Sequence, residues 1–437
     1  MGCFQGISRS ERMDTPNGRE RTRVVMTGLG AISPLGSSVD LMWSGLIQGR
    51  SGIRRITQFD PADFPCQIAG EIPDFIPEDY MDKKEARRIA RSAQIALAAA
   101  MQAVKDAGLP DTMIHPERSG VVFGTALGGL DRLDEGIQVL RTQGYSKINP
   151  FALPSGIPNL AAFLIARQFR CLGRNNTIAT ACATGTQTIG EAAEMIRFGH
   201  ADVVIAGGTE ALIRDFSIGG FSSMRALPTS YNHNPEAASR PFDARREGFI
   251  FSEGAGAVVL ERLDHARMRS AKIYAEVVGY ASSTDGYHMA APDPGANGPA
   301  RAMRWALQDA GMLPEQVDYI NAHGTSTPLN DATETRAIKM IFGDYAYKIP
   351  ISSTKSMIGH AMGASGALEA IVCALTISQA IIHPTINYEY PDPECDLDYV
   401  PNQACEKQVD YALSNSFGLG GQNACIVLKR YTESPAK

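Results

Sequence analysis

The stretch IATACATGT, residues 178–186, joins an apolar, strand-like start to a helix-like run that reaches Ile196. Its cysteine, Cys182, is expected to meet unpaired backbone N–H groups and the positive end of a helix dipole. Both effects favour the thiolate, so the position predicts a lowered thiol pKa and a nucleophile. The competing interpretation is a buried structural cysteine in a tight turn, which we assign to the other seven cysteines of the chain.

This turn has a counterpart later in the chain. The triplet Ala-Thr-Gly at 183–185 is echoed by Ala-Ser-Gly at 364–366, and the segment 100–125 is echoed at 302–325. Self-similarity of this kind predicts one supersecondary unit that is present twice. Two such halves would place matching helix N-termini near a shared pseudo-twofold axis, where one site could draw groups from both.

Around the turn, short apolar runs alternate with Ala-rich stretches of helical period. Buried strands are predicted at 24–26, 120–123, 203–206 and 257–260. A helix is predicted at 91–107, where it is closed by Gly-Leu-Pro. The alternation predicts an α/β fold with a layered sheet. Residues 1–22 lack hydrophobic periodicity and are expected to form a flexible N-terminal extension.

The composition narrows the functional classes. With 20% charged and 44% hydrophobic residues among 437, the chain has the balance of a soluble globular protein. The sequence shows no apolar run of the roughly 20 residues that a membrane helix needs, so no membrane role is expected. A formal net charge of −6 argues against binding to nucleic acid. The eight cysteines are dispersed without a CxxC pair, which fits a reducing, cytoplasmic compartment.

Three further clusters carry residue types with catalytic chemistry. NAHGTSTP, residues 321–328, places His323 among small hydroxyl residues at the end of a predicted strand. SSTKSMIGHAMGA, residues 352–364, leads a lysine and His360 into a glycine-rich helix start, where the dipole favours a neutral imidazole that can donate to an oxyanion. NSFGLGGQNA, residues 415–424, predicts a loop whose backbone amides approach a ligand closely.

In this order and at these spacings, the clusters resemble the β-ketoacyl-[acyl-carrier-protein] synthases, the elongating condensing enzymes of the thiolase superfamily, and in particular their synthase II group. The resemblance runs from about Arg23 to Tyr431 and includes VMTGLG at 25–30, GGTE at 207–210, AASRPFD at 237–243 and EGAG at 253–256. It implies a thiolase-like, duplicated five-layered αβαβα core. The N-terminal half, 23–267, would carry the cysteine, and the C-terminal half, 268–437, would carry both histidines.

The resemblance implies a role for each central residue. Cys182 would accept an acyl group as a thioester. His323 and His360 would bind the carbonyl of a malonyl thioester and promote loss of its carboxylate, because two fixed donors stabilise the enolate that forms. Lys355, supported by Glu369, would hold the electrostatics of the histidine pair.

Further residues are implied around this centre. The backbone N–H groups of the cysteine and of Phe417 would form the oxyanion hole, and Phe417 would also be the gate over the cysteine. Thr325 and Thr327 match the hydroxyls that bind the pantetheine arm of the substrate. Ala126 and Leu127 stand in the segment that would line the acyl pocket.

A basic run points to a partner. Lys84, Arg87, Arg88 and Arg91 fall at i, i+3, i+4 and i+7, which predicts one basic helical face. Such a face is often merely solvated, but the resemblance favours docking of the acidic acyl carrier protein there, with Arg225 as a further candidate. The resemblance also implies a homodimer, substrates carried on 4′-phosphopantetheine, and no cofactor or metal of the enzyme's own.

The implied reaction is a decarboxylative Claisen condensation of acyl-Cys182 with malonyl-[acyl-carrier-protein], the elongation step of type II fatty acid biosynthesis. It would give 3-oxoacyl-[acyl-carrier-protein] and CO2. The alternatives are a ketosynthase of a polyketide or specialised lipid pathway and, against the presence of the cysteine, a non-catalytic subunit like the chain-length factors. A zinc site built from Cys182, His323 and His360 would lack local ligand pairs. GLGAIS at 28–33 lacks the third glycine of a dinucleotide-binding fingerprint.

Overall fold

The computed structural model of the protein describes residues 21–433. Almost all of the expected N-terminal extension, residues 1–22, therefore lies outside the described residues. Within it, Arg21 forms an ion pair with Asp309 on the protein surface, with 2.6 Å between Nη2 and Oδ1.

Strands and helices alternate along the described chain. The strands are β1 (Val24–Ile32), β2 (Arg54–Arg55), β3 (Ile68–Ala69), β4 (Ser119–Gly124), β5 (Asn175–Asn176), β6 (Val203–Glu210), β7 (Gly254–Arg262), β8 (Ala275–Thr284), β9 (Tyr319–Asn321), β10 (Ile351–Ser352), β11 (Ile381–Ile382), β12 (Cys405–Glu406), β13 (Tyr411–Gly418) and β14 (Gln422–Lys429). The four predicted strands lie within β1, β4, β6 and β7.

The α-helices complete the pattern. They are α1 (Val39–Ile47), α2 (Lys83–Ala86), α3 (Arg91–Asp106), α4 (Leu130–Gln143), α5 (Ala152–Gly156), α6 (Leu160–Phe169), α7 (Thr184–Arg197), α8 (Asp215–Ser223), α9 (Leu263–Met268), α10 (Asn297–Ala310), α11 (Pro328–Phe342), α12 (Lys355–Ile358) and α13 (Ser365–Gln379). The predicted helix at 91–107 corresponds to α3, whose alanine-rich face is buried against β1 and β7.

The duplication is visible in the strand order of the main sheet. Ten strands lie side by side as β10-β9-β13-β14-β8-β1-β7-β6-β4-β5. The series β1-β7-β6-β4-β5 repeats as β8-β14-β13-β9-β10, and parallel and antiparallel pairings fall at the same places in both series. The two series meet where β1 pairs with β8 through Val25–Glu276 and Met26–Ala275.

Helices cover and separate these two halves. The helices α3 and α6 pack on the outer face of the first half, and α10, backed by α11, packs on the outer face of the second. Between the halves lie α7 and α13, which touch each other and strands of both halves. The arrangement is the expected five-layered αβαβα core, and it confirms the predicted fold class.

The central helix α13 belongs to the interior of the protein. By length and composition the window Met362–Gln379 could cross a membrane, although no such run was expected from the sequence, but 89% of the window is buried inside the protein. Its apolar composition is explained by its position in the middle layer, where both faces meet other elements.

The two central helices approach each other at a pair of glycines. A Cβ on Gly185 would lie 2.4 Å from the backbone nitrogen of Ala367, and a Cβ on Gly366 would lie 2.5 Å from that of Thr186. Only residues without a side chain allow this reciprocal contact. The echo between 183–185 and 364–366 thus marks the point where the two halves meet.

The turns that lead into these helices are also equivalent. Each is a 3₁₀ turn, Ala181–Ala183 before α7 and Met362–Ala364 before α13. The first residue of each turn has a positive φ, 50° in one and 41° in the other, although neither residue is a glycine. Cys182 and Gly363 therefore occupy corresponding positions in the two halves.

Candidate active site

The fold brings the predicted catalytic residues to one cavity of about 440 Å³. Of the predicted site residues, its lining includes Cys182, His323, His360, Thr325, Thr327, Phe417 and Arg225. The cysteine comes from the first half and the histidines from the second, so the cavity lies between the halves, as the duplication predicted.

The nucleophile candidate is nearly covered. Cys182 is 5% exposed, and its Sγ lies 2.9 Å from Nε2 of His360. The backbone N–H groups of Leu419 and of Cys182 itself donate to the sulfur. Burial nevertheless raises the pKa of the Cys182 thiol to about 11.

The predicted lowering of this pKa is therefore wrong for the resting protein. Loss of hydration disfavours the thiolate more strongly than the surrounding N–H groups favour it. Cys182 rests as a thiol hydrogen bonded to His360, and the imidazole is placed to take the proton when the sulfur attacks.

Both ring nitrogens of His360 are engaged. Nε2 faces Cys182, and Nδ1 lies 2.9 Å from Oγ of Ser365, the first residue of α13. The backbone N–H of His360 donates to the Ile250 carbonyl, with 2.7 Å between the two atoms. Burial and the cationic Lys355 hold the pKa of His360 well below its usual range, so the ring is neutral.

His323 faces the same cavity from the end of β9. The backbone N–H groups of His323 and Gly324 donate to the two carboxylate oxygens of Glu334, over 2.8 and 2.7 Å. The centroids of its ring and the His360 ring lie 5.4 Å apart. Burial, the charge of Lys355 and the neighbouring histidine lower the pKa of His323, so both imidazoles are neutral; the sequence predicted this for His360 alone.

The expected contact behind the histidines is present. Lys355 donates from Nζ to Oε1 of Glu369, and the two side chains are 1% and 0% exposed. Burial raises the pKa of Glu369 to about 7, and the Lys355 ammonium opposes this rise. The Lys355 ammonium places a positive charge near the two imidazoles and lowers the pKa of both.

Phe417 and the threonines line the approach to the sulfur. The Phe417 ring centroid is 5.7 Å from that of His323, and a Cβ on the adjacent Gly418 would lie 3.0 Å from the Cys182 backbone nitrogen. The end of β13 thus lies directly against the 3₁₀ turn that carries Cys182. The hydroxyls of Thr325 and Thr327 are 3.0 Å apart on the cavity wall.

Two family models match the chain. Residues 21–266 match the model for the β-ketoacyl synthase N-terminal domain, and residues 274–389 match the model for the β-ketoacyl synthase C-terminal domain. The chain belongs to the β-ketoacyl synthase family.

Characterised relatives extend this match over nearly the whole chain. The 3-oxoacyl-[acyl-carrier-protein] synthase 2 of Synechocystis sp. is 49% identical over 412 residues, which cover 94% of this chain and 99% of the relative. The enzyme of the same name from Coxiella burnetii is also 49% identical over 94% of this chain and 99% of its own length. That of Staphylococcus aureus is 46% identical with the same coverage.

Solved structures give the same fold. The ishigamide ketosynthase/chain length factor superimposes with a TM-score of 0.89 at 38% identity, covering 94% of this chain and all of the other. A type II polyketide ketosynthase in complex with its acyl carrier protein gives 0.86 at 37% identity, with the same coverage.

The basic residues of this synthase family member do not share one helical face. Helix α2 ends at Ala86, and Arg91 begins the separate helix α3. Arg91 turns inward instead, where its Nε lies 2.7 Å from Oε2 of the fully buried Glu253. The prediction of a single face is wrong because the chain bends between the helices to bury this ion pair.

The other three basic residues form a surface groove. Lys84, Arg87 and Arg88 are exposed and line it together with Phe151, and the Arg88 guanidinium lies 4.6 Å from the centre of that ring. Arg225 lies elsewhere, on the lining of the catalytic cavity. Binding of a carrier protein at either place stays a prediction.

The candidate acyl-pocket residues lead to a carboxylate that the sequence analysis gave no role. Ala126 and Leu127 pack in the apolar cluster that contains Cys182 and Met362. Their backbone N–H groups donate to Glu210, which is fully buried and also accepts from Gly363. Burial raises the pKa of Glu210 to about 7. Its one sequence signal was the GGTE stretch at 207–210.

The three candidate catalytic residues have a geometry that a metal could also use. The ligand atoms of Cys182, His323 and His360 all lie within 4.8 Å of one another. The sequence lacks local pairs of zinc ligands, and the fold supplies the proximity that the sequence did not show.

Proposed function

We propose that the protein is an elongating 3-oxoacyl-[acyl-carrier-protein] synthase that condenses an acyl group with a malonyl group and releases CO2. The observation that carries the proposal is a thiol 2.9 Å from one neutral imidazole, with a second imidazole facing the same cavity. Relatives of that name at 46–49% identity over 94% of the chain support it.

The first half-reaction loads the cysteine. The sulfur of Cys182 attacks the carbonyl carbon of an acyl thioester, and its proton passes to Nε2 of His360. The backbone N–H groups of Cys182 and Leu419, which donate to this sulfur in the resting protein, stabilise the oxyanion, in place of the Phe417 N–H that the sequence led us to expect. The carrier sulfur then leaves and takes the proton from His360, which gives acyl-Cys182 and a free carrier thiol.

The second half-reaction uses both imidazoles as donors. Each donates an N–H to the thioester carbonyl of the malonyl group, and loss of CO2 leaves the bonding electron pair in an enolate. The enolate carbon attacks the carbonyl of acyl-Cys182, the bond to sulfur breaks, and one proton from solvent restores the thiol. The product is a 3-oxoacyl thioester with two additional carbons.

Ser365 explains how His360 can serve both steps. In the free enzyme Nε2 accepts the proton of Cys182, so Nδ1 carries a hydrogen and donates to the serine oxygen. In the decarboxylation step Nε2 has to donate, so Nδ1 has to accept. A hydroxyl can donate as well as accept, and Ser365 therefore supports either tautomer without moving.

The wider setting follows from the same proposal. The acyl carrier protein brings both substrates on its 4′-phosphopantetheine arm, and the enzyme needs no cofactor of its own. A cytoplasmic location is supported by the seven cysteines of residues 21–433, none of which is paired in a disulfide.

The proposal includes a homodimer. β5 is the last strand at one end of the main sheet, and its two residues are exposed. Apolar side chains of the neighbouring helical segment also reach the surface: Leu140, Phe151, Leu153, Ile157 and Phe163. Light scattering of the purified protein should give twice the chain mass of 47.0 kDa, and a monomer at micromolar concentration would contradict this part of the proposal.

The second candidate is a polyketide ketosynthase. It is favoured by the likeness to a type II polyketide ketosynthase, at 37% identity, and to the ishigamide ketosynthase/chain length factor, at 38%. The higher identity of the 3-oxoacyl synthases favours the fatty acid role. A non-catalytic subunit is disfavoured because Cys182 is present and hydrogen bonded to a base.

One experiment tests the reaction and separates these candidates. The purified enzyme is incubated with acyl carrier proteins of increasing acyl length, and peptide mass spectrometry locates the acyl group. We expect one acyl mass on Cys182, absent from Cys182→Ala, and a 3-oxoacyl carrier product once malonyl carrier is added. An acyl mass on another cysteine, or no 3-oxo product, would overturn the proposal, and a preference for poly-3-oxoacyl chains would favour the polyketide role.

A further inference from the structure

The two threonine hydroxyls project from a loop with an uncommon backbone conformation. This loop, residues 323–328, connects β9 to α11, and Ser326 at its centre has a φ of 70°. An L residue rarely adopts this conformation unless its surroundings enforce it. The position of Thr325 and Thr327 therefore depends on what holds Ser326.

One segment of the first half holds this loop. The backbone N–H of Arg240 donates to Oγ of the fully buried Ser326 over 3.0 Å. The backbone N–H of Phe242 donates to Oδ2 of Asp331 over 2.9 Å, and the backbone N–H of Thr325 donates to Oδ1 over 3.1 Å. The Asp331 carboxylate thus joins the two segments, and it is fully buried.

The Arg246 guanidinium completes the attachment. It donates from Nε to the carbonyl of Thr327 over 3.3 Å and from Nη2 to the carbonyl of Pro328 over 3.2 Å. Its Nε also lies 3.6 Å from Asp331, and its Nη1 donates to Asp392 over 2.5 Å. Only the planar, forked arrangement of donors in arginine can reach these acceptors together.

We propose that Arg246 and Asp331 form a clamp that positions the hydroxyls of Thr325 and Thr327 for the pantetheine arm of the substrate. The inference rests on the proposed function and adds two positioning residues to it. The clamp acts on the loop backbone, so it governs binding of the arm rather than the chemistry at Cys182.

Arg246→Lys tests the clamp because it keeps the positive charge beside Asp331 and removes the fork. Arg197→Lys is the matched control: the Arg197 side chain is also buried and ion-paired, with Asp309, but it bonds Asp309 and the Val277 carbonyl and not the loop. Calorimetry with S-ethyl pantetheine measures binding without a reaction. We expect Kd to rise about tenfold in Arg246→Lys and less than twofold in the control.

Kinetics provide the second readout. With malonyl-pantetheine, Arg246→Lys should raise KM about tenfold with kcat within twofold, and iodoacetamide should label Cys182 at the wild-type rate. Equal losses in KM, kcat and labelling would reduce Arg246 to a general structural role and overturn the clamp.

A second variant tests the clamp in case Arg246→Lys does not fold. Ser326→Gly tolerates the positive φ but lacks the Oγ that Arg240 N–H contacts, and it leaves the Arg246–Asp331 pair intact. It should weaken S-ethyl pantetheine binding to a similar extent. Unchanged binding in both variants, or an equal loss in Arg197→Lys, would overturn the clamp. Wild-type protein that binds the probe but forms no 3-oxo product would instead contradict the proposed function alone.

Discussion

His360→Asn should slow alkylation of Cys182 at neutral pH far more than His323→Asn does. The reason is a single contact: Nε2 of His360 lies 2.9 Å from the sulfur and is the base that can remove its proton. Asparagine keeps a polar side chain of smaller size but has no basic nitrogen. His323→Asn is the matched control, because that histidine lines the same cavity and contacts the His360 ring.

The size of the expected loss in alkylation rate follows from the raised pKa of the buried thiol. Burial raises the pKa of Cys182 to about 11. At pH 7, four units lower, only about one sulfur in 10⁴ is a thiolate without help. A positioned base typically contributes about 10²–10⁴ in rate, so His360→Asn should lower the alkylation rate at pH 7 by about 10²–10³. Because the pKa is raised, the unassisted thiolate disappears as the pH falls, and the rate in this variant should climb about tenfold per unit between pH 7 and pH 10.

The assay is iodoacetamide labelling with peptide mapping from pH 6 to pH 10. The wild-type protein should show a shallower pH dependence than His360→Asn, with the two converging at high pH. Cys66 is an internal reference, since burial raises its pKa to about 11 as well and its Sγ faces the Ile68 carbonyl rather than a base. Equal rates in the wild type and His360→Asn at pH 7 would refute the role of His360 as the base.

Four further outcomes are expected. Cys182→Gln should retain malonyl decarboxylation and lose condensation, measured as CO2 release against 3-oxo product, since the imidazoles remain; loss of both would tie the sulfur to decarboxylation. Charge reversal of Arg87 and Arg88 should raise KM about tenfold for carrier-borne but not for pantetheine-bound substrates, and equal changes for both would argue against docking in the groove. Arg91→Ala should lower the free energy of unfolding by about 3 kcal/mol in urea because Glu253 stays buried and unpaired, whereas the exposed Arg87→Ala should change it little; similar values would contradict the buried-pair reasoning. Chelation with EDTA should leave condensation unchanged, and a loss restored by zinc would assign the cysteine–histidine trio to a metal.

The sequence could predict which residues meet in the cavity because each lies in a short segment with its own signal. Cys182 follows a strand and opens a helix, and His323 and His360 stand in segments rich in small residues. Self-similarity along the chain also predicted that the first half would meet the second. These features are local or repeated, so they can be read without three-dimensional information.

What the sequence could not show depends on distant partners. The helical spacing between Lys84 and Arg91 cannot reveal an ion pair with Glu253. Glu253 lies 162 positions from Arg91 in the sequence, and the ion pair turns the Arg91 side chain toward the interior. The dipole at Cys182 can be inferred locally, but the burial that raises its pKa comes partly from Leu419 and Met362 of the other half. Glu210 gave no chemical signal beyond the GGTE stretch, because the N–H groups of Ala126, Leu127 and Gly363 that donate to it are brought together by folding.

In the proposed mechanism, the turn equivalent to that of Cys182 offers no second nucleophile, because Gly363 occupies the corresponding position. A side chain at Gly363 is blocked, since a Cβ there would lie 2.6 Å from the backbone nitrogen of Ala126. The Gly363 N–H is also committed, because it donates to Glu210 over 3.2 Å. In the proposed mechanism, one copy of the duplicated turn therefore performs covalent chemistry, while the other is tightly packed beside Ala126 and bonded to Glu210. A second nucleophile at position 363 would therefore require new packing around Ala126 and Glu210, and replacement of Gly363 alone would not be enough.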